Sequence, residues 1–316
     1  MNYALRRLAG QSLTWISLTK NEYDTAVSHI KNIIRALELE ERFDVLIGNY
    51  EELDSEILRI SIDKSLHKNS SWQDGARNRR VMNRRVSNLL SSCRLYLDQL
   101  RHGVSSIFGP HSSELKSVEE FCHRQYDDSF SYRLIEALRN YTQHRRLPID
   151  IEYTSFTATS FKDKQVACCV IPMMARAQVI DDEKIKSSVR SELSSQPNNI
   201  DLKTHLRCYL QSLNAIHAHL RHILESNINE WEKTIQDLID KFSKSEDASL
   251  IGLHVVIQSD DEHPVVQEKH TVFRDPINEL RSLQKRNELY EDLSAHYVTS
   301  QTLEKIKRDT PWSEEK

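Results

Sequence analysis

Arg139, Asn140 and His144 are the residues whose types and spacing suit a chemical step. A guanidinium binds two oxygens of an anion at once, and an imidazole takes and returns a proton near neutral pH. An amide between them can orient either partner. All three lie in Ser129 to Arg145, where Phe130, Leu134, Ile135, Leu138 and Tyr141 recur three to four residues apart. This spacing predicts an amphipathic helix, with Asp128 or Ser129 as its N-cap. At about 100° per residue, Glu136, Arg139, Asn140 and Gln143 fall opposite the apolar face, with His144 on the flank. Pro148 predicts the end of the helix. His144 then stands in the last turn, where the macrodipole favours a protonated imidazole.

The rest of the chain must position that helix. Only six glycines and seven prolines occur in 316 residues, and 28% of residues are charged, which favours long solvated helices over a turn-rich β architecture. A helix is expected from Glu22, with Ala26, Ile30, Ile33, Ile34 and Leu37 on its face. A second is expected along Leu46, Tyr50, Leu53, Ile57 and Ile60, ending in a loop from His67 to Gly75. A third, roughly Asn78 to His102, carries Met82, Val86, Leu89, Cys93, Tyr96 and Leu100 in one register. Gly103 to Ser113 reads as a loop and Leu115 to His123 as a short acidic helix. Ile149 to Phe161 and Val166 to Ile171 read as a β-hairpin or two adjacent strands, followed by a helix over Asp181 to Leu193. From Leu202 to Phe242 one apolar seam persists, either as a single helix of about 60 Å or as a hairpin broken at Asn227 to Asn229. Leu250 to Gln258 reads as a strand, and Pro276 to Leu293 as a last helix.

The expected fold class is therefore mainly α, a helical bundle with a small inserted or appended β element. Five segments are expected: 1–21 with a possible strand, 22–148 as the helical core, 149–200 as a hairpin plus helix, 201–245 completing the bundle, and 246–316 as strand, helix and polar tail.

Several chemistries find no support. Cys93, Cys122, Cys168, Cys169 and Cys208 form no C-x-x-C pair, which argues against a disulfide framework or a thiolate zinc site. In Ile216 to His222, His217 falls in the apolar seam while His219 and His222 point away, and no H-E-x-x-H accompanies them, so no metal is expected. No G-x-S-x-G, P-loop or dinucleotide fingerprint occurs, so no cofactor is expected. No run of about 18 apolar residues and no signal-peptide core occur, so a cytoplasmic protein without a membrane segment is expected. A net charge of −4 gives no global attraction to nucleic acid. The densest local positive charge is Arg77, Arg79, Arg80, Arg84 and Arg85, read either as a solvated helix face or as a phosphate-contacting patch.

The R-N-x-x-x-H stretch resembles the hallmark of the HEPN superfamily (higher eukaryotes and prokaryotes nucleotide-binding). That hallmark is an arginine, a polar residue and a histidine spaced a few residues beyond. Arg139, Asn140 and His144 match its three positions. The strict match covers six residues, and the looser helical resemblance covers roughly Glu22 to Pro148, with Leu202 to Phe242 completing the bundle. The resemblance implies a metal-independent endoribonuclease of the toxin or antiviral-defence kind, cleaving RNA through 2′-OH attack. It implies that Arg139 stabilises phosphate charge, Asn140 orients and His144 transfers protons. Arg77, Arg79, Arg80, Arg84 and Arg85, with Arg145 and Arg146, are candidates to guide RNA. One helix supplies one histidine, so a homodimer with a composite site is implied, and an inhibitor or antitoxin protein is a further expected partner. The alternative is a non-catalytic HEPN-like module that binds RNA or a protein.

Overall fold

Stretches without helix breakers become long helices. The computed structural model describes residues 1–9, 15–67, 71–144, 149–157, 166–183, 185–244, 250–261 and 264–298. Helix α1 runs from Lys20 to Leu66, 47 residues in one piece. It replaces the two helices expected there, because the linking residues Glu38 to Val45 hold no glycine or proline and are mostly good helix formers. Helix α2 (Trp72–Phe108) is longer than expected at both ends. Ser71 and Asp74 form a capping box, with Asp74 N donating to Ser71 Oγ at 3.1 Å and Ser71 N to Asp74 Oδ2 at 3.0 Å. That cap turns half of the expected polar loop into the first turn of the helix.

At the other end of α2, Gly109 takes φ +100 and its N–H bonds the Ser105 carbonyl. Only glycine adopts that conformation without strain. Gly109→Ala is expected to lower stability by about 1 kcal/mol, read as a shift of the urea unfolding midpoint. An unchanged midpoint would show that the turn relaxes freely.

Helices α3 (Ser113–Asp128) and α4 (Phe130–His144) follow. Strands β1 (Asn2–Arg7) and β2 (Trp15–Leu18) precede α1, and β3 (Ile149–Thr157) and β4 (Val166–Ala175) form the expected antiparallel hairpin. The helix expected over Asp181 to Leu193 is shorter, α6 (Ser187–Ser194), a separate short α5 (Arg176–Ile180) precedes the expected range, and β5 (Asn199–Asp201) adds to β4. Helix α7 (Leu202–Ser243) is continuous through Asn227 to Asn229, which decides for the single helix. Strands β6 (Leu253–Gln258) and β7 (Val266–Thr271) and helix α8 (Asp275–Arg286) complete the order, with a 3-10 turn at Leu293–Ala295.

The protein is mainly α, with two small antiparallel sheets ordered β2-β1-β6-β7 and β3-β4-β5. The strands of the first and last expected segments thus share one sheet. Polar contacts between helices show the helix directions. Arg85 pairs with Glu52, and Arg35 donates to the Ser106 carbonyl at 2.7 Å, so α1 and α2 run antiparallel. Glu40 meets Arg221 and Glu22 meets Lys241, so α1 and α7 are antiparallel too. Ser131 meets His205 and Glu136 meets Tyr209, so α4 lies parallel to the start of α7.

One polar cluster crosses the apolar centre. Glu40 accepts from Arg221 Nε at 2.9 Å and Nη2 at 2.7 Å, and lies 3.0 Å from His217 Nε2. The other ring nitrogen of His217 is 3.0 Å from the Tyr96 hydroxyl, and Phe43 stacks on the imidazole at 3.9 Å. Burial alone would raise the Glu40 carboxyl, but the bonds from His217 and Arg221 outweigh it and hold it at about 2. Burial pushes the His217 imidazole down. The consistent assignment is an ionised Glu40, a neutral His217 donating from Nε2, and a Tyr96 hydroxyl donating to Nδ1.

Candidate functional site

Helix α4 is anchored by its apolar face. Leu134, Ile135 and Leu138 are fully buried, as their spacing predicts, against α2, α3 and α7. Ser129 Oγ accepts from Tyr132 N at 3.2 Å and so acts as the cap. The polar face departs from expectation at Glu136. Its side chain is only 14% exposed and accepts from the Tyr209 hydroxyl at 2.5 Å, with Arg94 at 3.7 Å. Burial first, and Glu136 next, raise the Tyr209 hydroxyl well above its usual range, so it stays protonated and donates. The cause is that α4 is flanked on two sides, by α2 and α7, and a side chain one turn from solvent finds a partner across the gap.

Further along, the helix separates its two candidate residues. Arg139 is half-buried and faces a groove of about 390 Å³ between α2 and α4, with Arg94, Asp98 and Thr142 in its walls. Arg94 Nη2 pairs with Asp98 at 2.7 Å there. Asn140 is exposed and lines a different cavity, of about 520 Å³, on the α3 side of α4. The two still touch, since Arg139 Nη1 donates to Asn140 Oδ1 at 2.9 Å. That bond fixes the amide with its NH₂ turned away and leaves further guanidinium donors uncommitted to it. Thr142 Oγ1 donates to the Arg139 carbonyl at 2.9 Å, a bond back onto its own helix that fixes its rotamer. His144 is the final residue of α4 by its backbone. Its side chain and that of Gln143 lie outside the described set, as do Arg145, Arg146 and Pro148.

The arginines of α2 are divided by their neighbours. Arg77 pairs with Asp74 at 3.2 Å, Arg79 with Asp150 at 3.5 Å, and Arg85 with Glu52. Arg80 and Arg84 are exposed, four residues apart and so adjacent on one helix face. Three of the five guanidiniums are thus met by carboxylates from their own helix, β3 and α1. The Arg79–Asp150 contact also has a positional meaning. Asp150 is six residues beyond His144, so the end of α4 lies within about 20 Å of the residue that Arg79 meets. The motif and the basic start of α2 share one end of the bundle.

The histidine run is dispersed. His217 belongs to the core cluster, His219 stacks on Phe121 at 4.4 Å and bonds Ser117 at 3.0 Å, and His222 is exposed. Among the described residues no group of three His, Cys, Asp or Glu side chains is placed to hold a metal ion. Among them, too, no helix is long and apolar enough to cross a membrane.

Sequence reasoning missed the contribution of Arg94, Asp98 and Glu136 to the surroundings of the motif. They sit on the polar edges of their helices, where nothing in the local pattern marks them. Glu40 was missed too, although its position carried a signal. It falls in register with Ile33, Ala36, Phe43 and Ile47, a carboxylate in an apolar seam. No family model, no curated protein and no solved structure matches this chain.

Proposed function

We propose that the chain is a metal-independent endoribonuclease of HEPN type, a toxin or phage-defence effector that acts on RNA in the cytoplasm. The observation that carries this reading is the Arg139–Asn140 pair in the closing turns of α4, at the end of the bundle that also holds the arginines of α2. The guanidinium neutralises charge building on the phosphate while the 2′-hydroxyl attacks. His144, one turn beyond Asn140, transfers the proton. A second acid or base is required, and a second copy of the chain supplies it across a two-fold axis. Arg80 and Arg84, two exposed cations of α2, extend the path for the RNA backbone beyond the scissile phosphate, with Arg145 and Arg146 following the motif.

The test is cleavage of RNA in excess EDTA by wild type and by His144→Ala. Wild type is expected to leave 2′,3′-cyclic phosphate ends, and the variant to lose about 10²–10⁴ in rate. Equal cleavage by both, or cleavage only with added metal, would overturn the assignment. The second reading is a non-catalytic module that binds RNA or a protein. It is favoured by the ion pairs that occupy Arg77, Arg79 and Arg85, since paired guanidiniums offer less to a phosphate. RNA binding without turnover, unchanged in His144→Ala, would select it.

A further inference from the structure

The cavity on the Asn140 side of α4 has the build of a small-molecule site. Its volume, about 520 Å³, lies within the range of ligand pockets, roughly 300–1,000 Å³. Helices α2, α3 and α4 form its sides, and Asp182, Ile185, Lys186 and Val189 complete its lining. The inner wall is apolar, made by Leu100, Val118, Tyr132, Ala137, Ile185 and Val189, all buried. Polar groups gather at the rim, where a ligand head would meet water.

The charges there are unequal. Four fixed cations and three carboxylates line the space. The three arginines are engaged: Arg94 with Asp98 at 2.7 Å, Arg101 with Glu119 at 2.5 Å, and Arg133 with Glu192 at 2.7 Å. Lys186 is different. Its ammonium stands 4.9 Å over the Tyr126 ring, and it has no carboxylate partner among the described residues. Of the lining carboxylates, Glu119 meets Arg101, Glu136 is held by Tyr209 and Arg94, and Asp182 is buried, so the exposed Lys186 ammonium is a cation at the mouth open to one negative charge on a ligand.

We propose that this cavity binds a small amphipathic monocarboxylate, its aromatic or branched body against the inner wall and its carboxylate at Lys186. The Asn140 amide, exposed and lining the same cavity, is a neutral donor on α4 available to such a head group. An occupant therefore rests on the same helix that carries Arg139. The assignment depends on the cavity alone and holds whether or not the chain cleaves RNA.

Titration calorimetry of the full chain with 2-naphthoate and its neutral isostere 2-naphthamide tests it. Naphthoate is expected to saturate one site per chain and to bind about tenfold more tightly than the amide, as charge-assisted hydrogen bonding predicts. Lys186→Gln, a change at an exposed residue, is expected to erase that difference while leaving naphthamide affinity unchanged. Naphthoate is also expected to slow labelling of the half-buried Cys122, which lines the cavity, by a neutral maleimide, followed by peptide mass spectrometry. No saturable binding, equal affinity for the two probes, an unaltered preference in Lys186→Gln, or unprotected Cys122 would each overturn the proposal.

Discussion

Glu40→Ala is expected to cost about 3–5 kcal/mol of unfolding free energy, the loss typical when one partner of a buried ion pair is removed. The carboxylate is 3% exposed and is the common acceptor for His217 and Arg221. Without it, the Arg221 guanidinium faces a cavity and retains only the Asn287 carbonyl, at 3.1 Å. The Nε2–H of His217 is orphaned inside the core. Urea unfolding of wild type and variant measures the effect, and a loss under about 1 kcal/mol would show that the cluster is incidental to stability.

Acid provides an independent reading of the same cluster. The Glu40 carboxyl is held at about 2 against an ordinary 4.5. Because the folded value is depressed, its stabilisation is fully present above pH 4.5 and disappears as pH falls from there toward 2. A shift of that size corresponds to about 3 kcal/mol. His217 acts in the same sense at higher pH. Burial lowers it from 6.5, so protonation below that pH favours the unfolded chain. Stability is thus expected to begin falling below pH 6.5 and to steepen below 4.5. Glu40→Gln is expected to flatten the lower part. If wild type and Glu40→Gln lose stability in parallel between pH 4.5 and 2, the carboxylate is not the titrating group.

Arg139→Ala is expected to reduce RNA cleavage by about 10²–10³, as removal of a donor to developing negative charge commonly does. Arg139→Lys is expected to recover little of it. A lysine ammonium lacks the planar fork that holds both a phosphate and the Asn140 carbonyl, which Arg139 reaches at 2.9 Å. Single-turnover rates with saturating RNA separate the two contributions. A guanidinium acting in the transition state lowers the rate at saturation, whereas one that only binds RNA raises the concentration needed to saturate. Full activity of Arg139→Ala would remove Arg139 from the site.

Elements set by local pattern were legible and those set by distant partners were not. Leu206, Leu210, Leu213 and Leu220 keep one seam through α7, and all are buried. Leu134, Ile135 and Leu138 likewise orient α4 as their spacing dictates. By contrast, β1 and β7 exist through pairing with β6, and most of β7 is exposed, so neither displays the alternation that marks a half-buried strand. The same holds for the polar contacts. Tyr209 and Glu136 stand 73 residues apart, and Glu40 and His217 stand 177 apart, so only the fold unites them. In the candidate site, the residue types of Arg139 and Asn140 were readable, but not that they open on different spaces. That division follows from α4 being packed on both flanks.

The pairing of β1 with β6 has a consequence for the chain during its synthesis. Asn2 faces Gln258 across that ladder, and β1 has only the four-residue β2 on its other side. Until β6 leaves the ribosome, β1 presents an unpaired row of N–H and C=O groups, the edge that invites pairing with other chains. At 5–20 residues per second, the roughly 250 intervening residues take about 12–50 s to appear. The helices up to α7 have local hydrogen bonds and can form in that interval, but this sheet closes only after α7 has emerged. Nascent chains stalled before Leu253 are therefore the species most exposed to aggregation, and the stretch from Asn2 to Arg7 is where a chaperone has the most to shield.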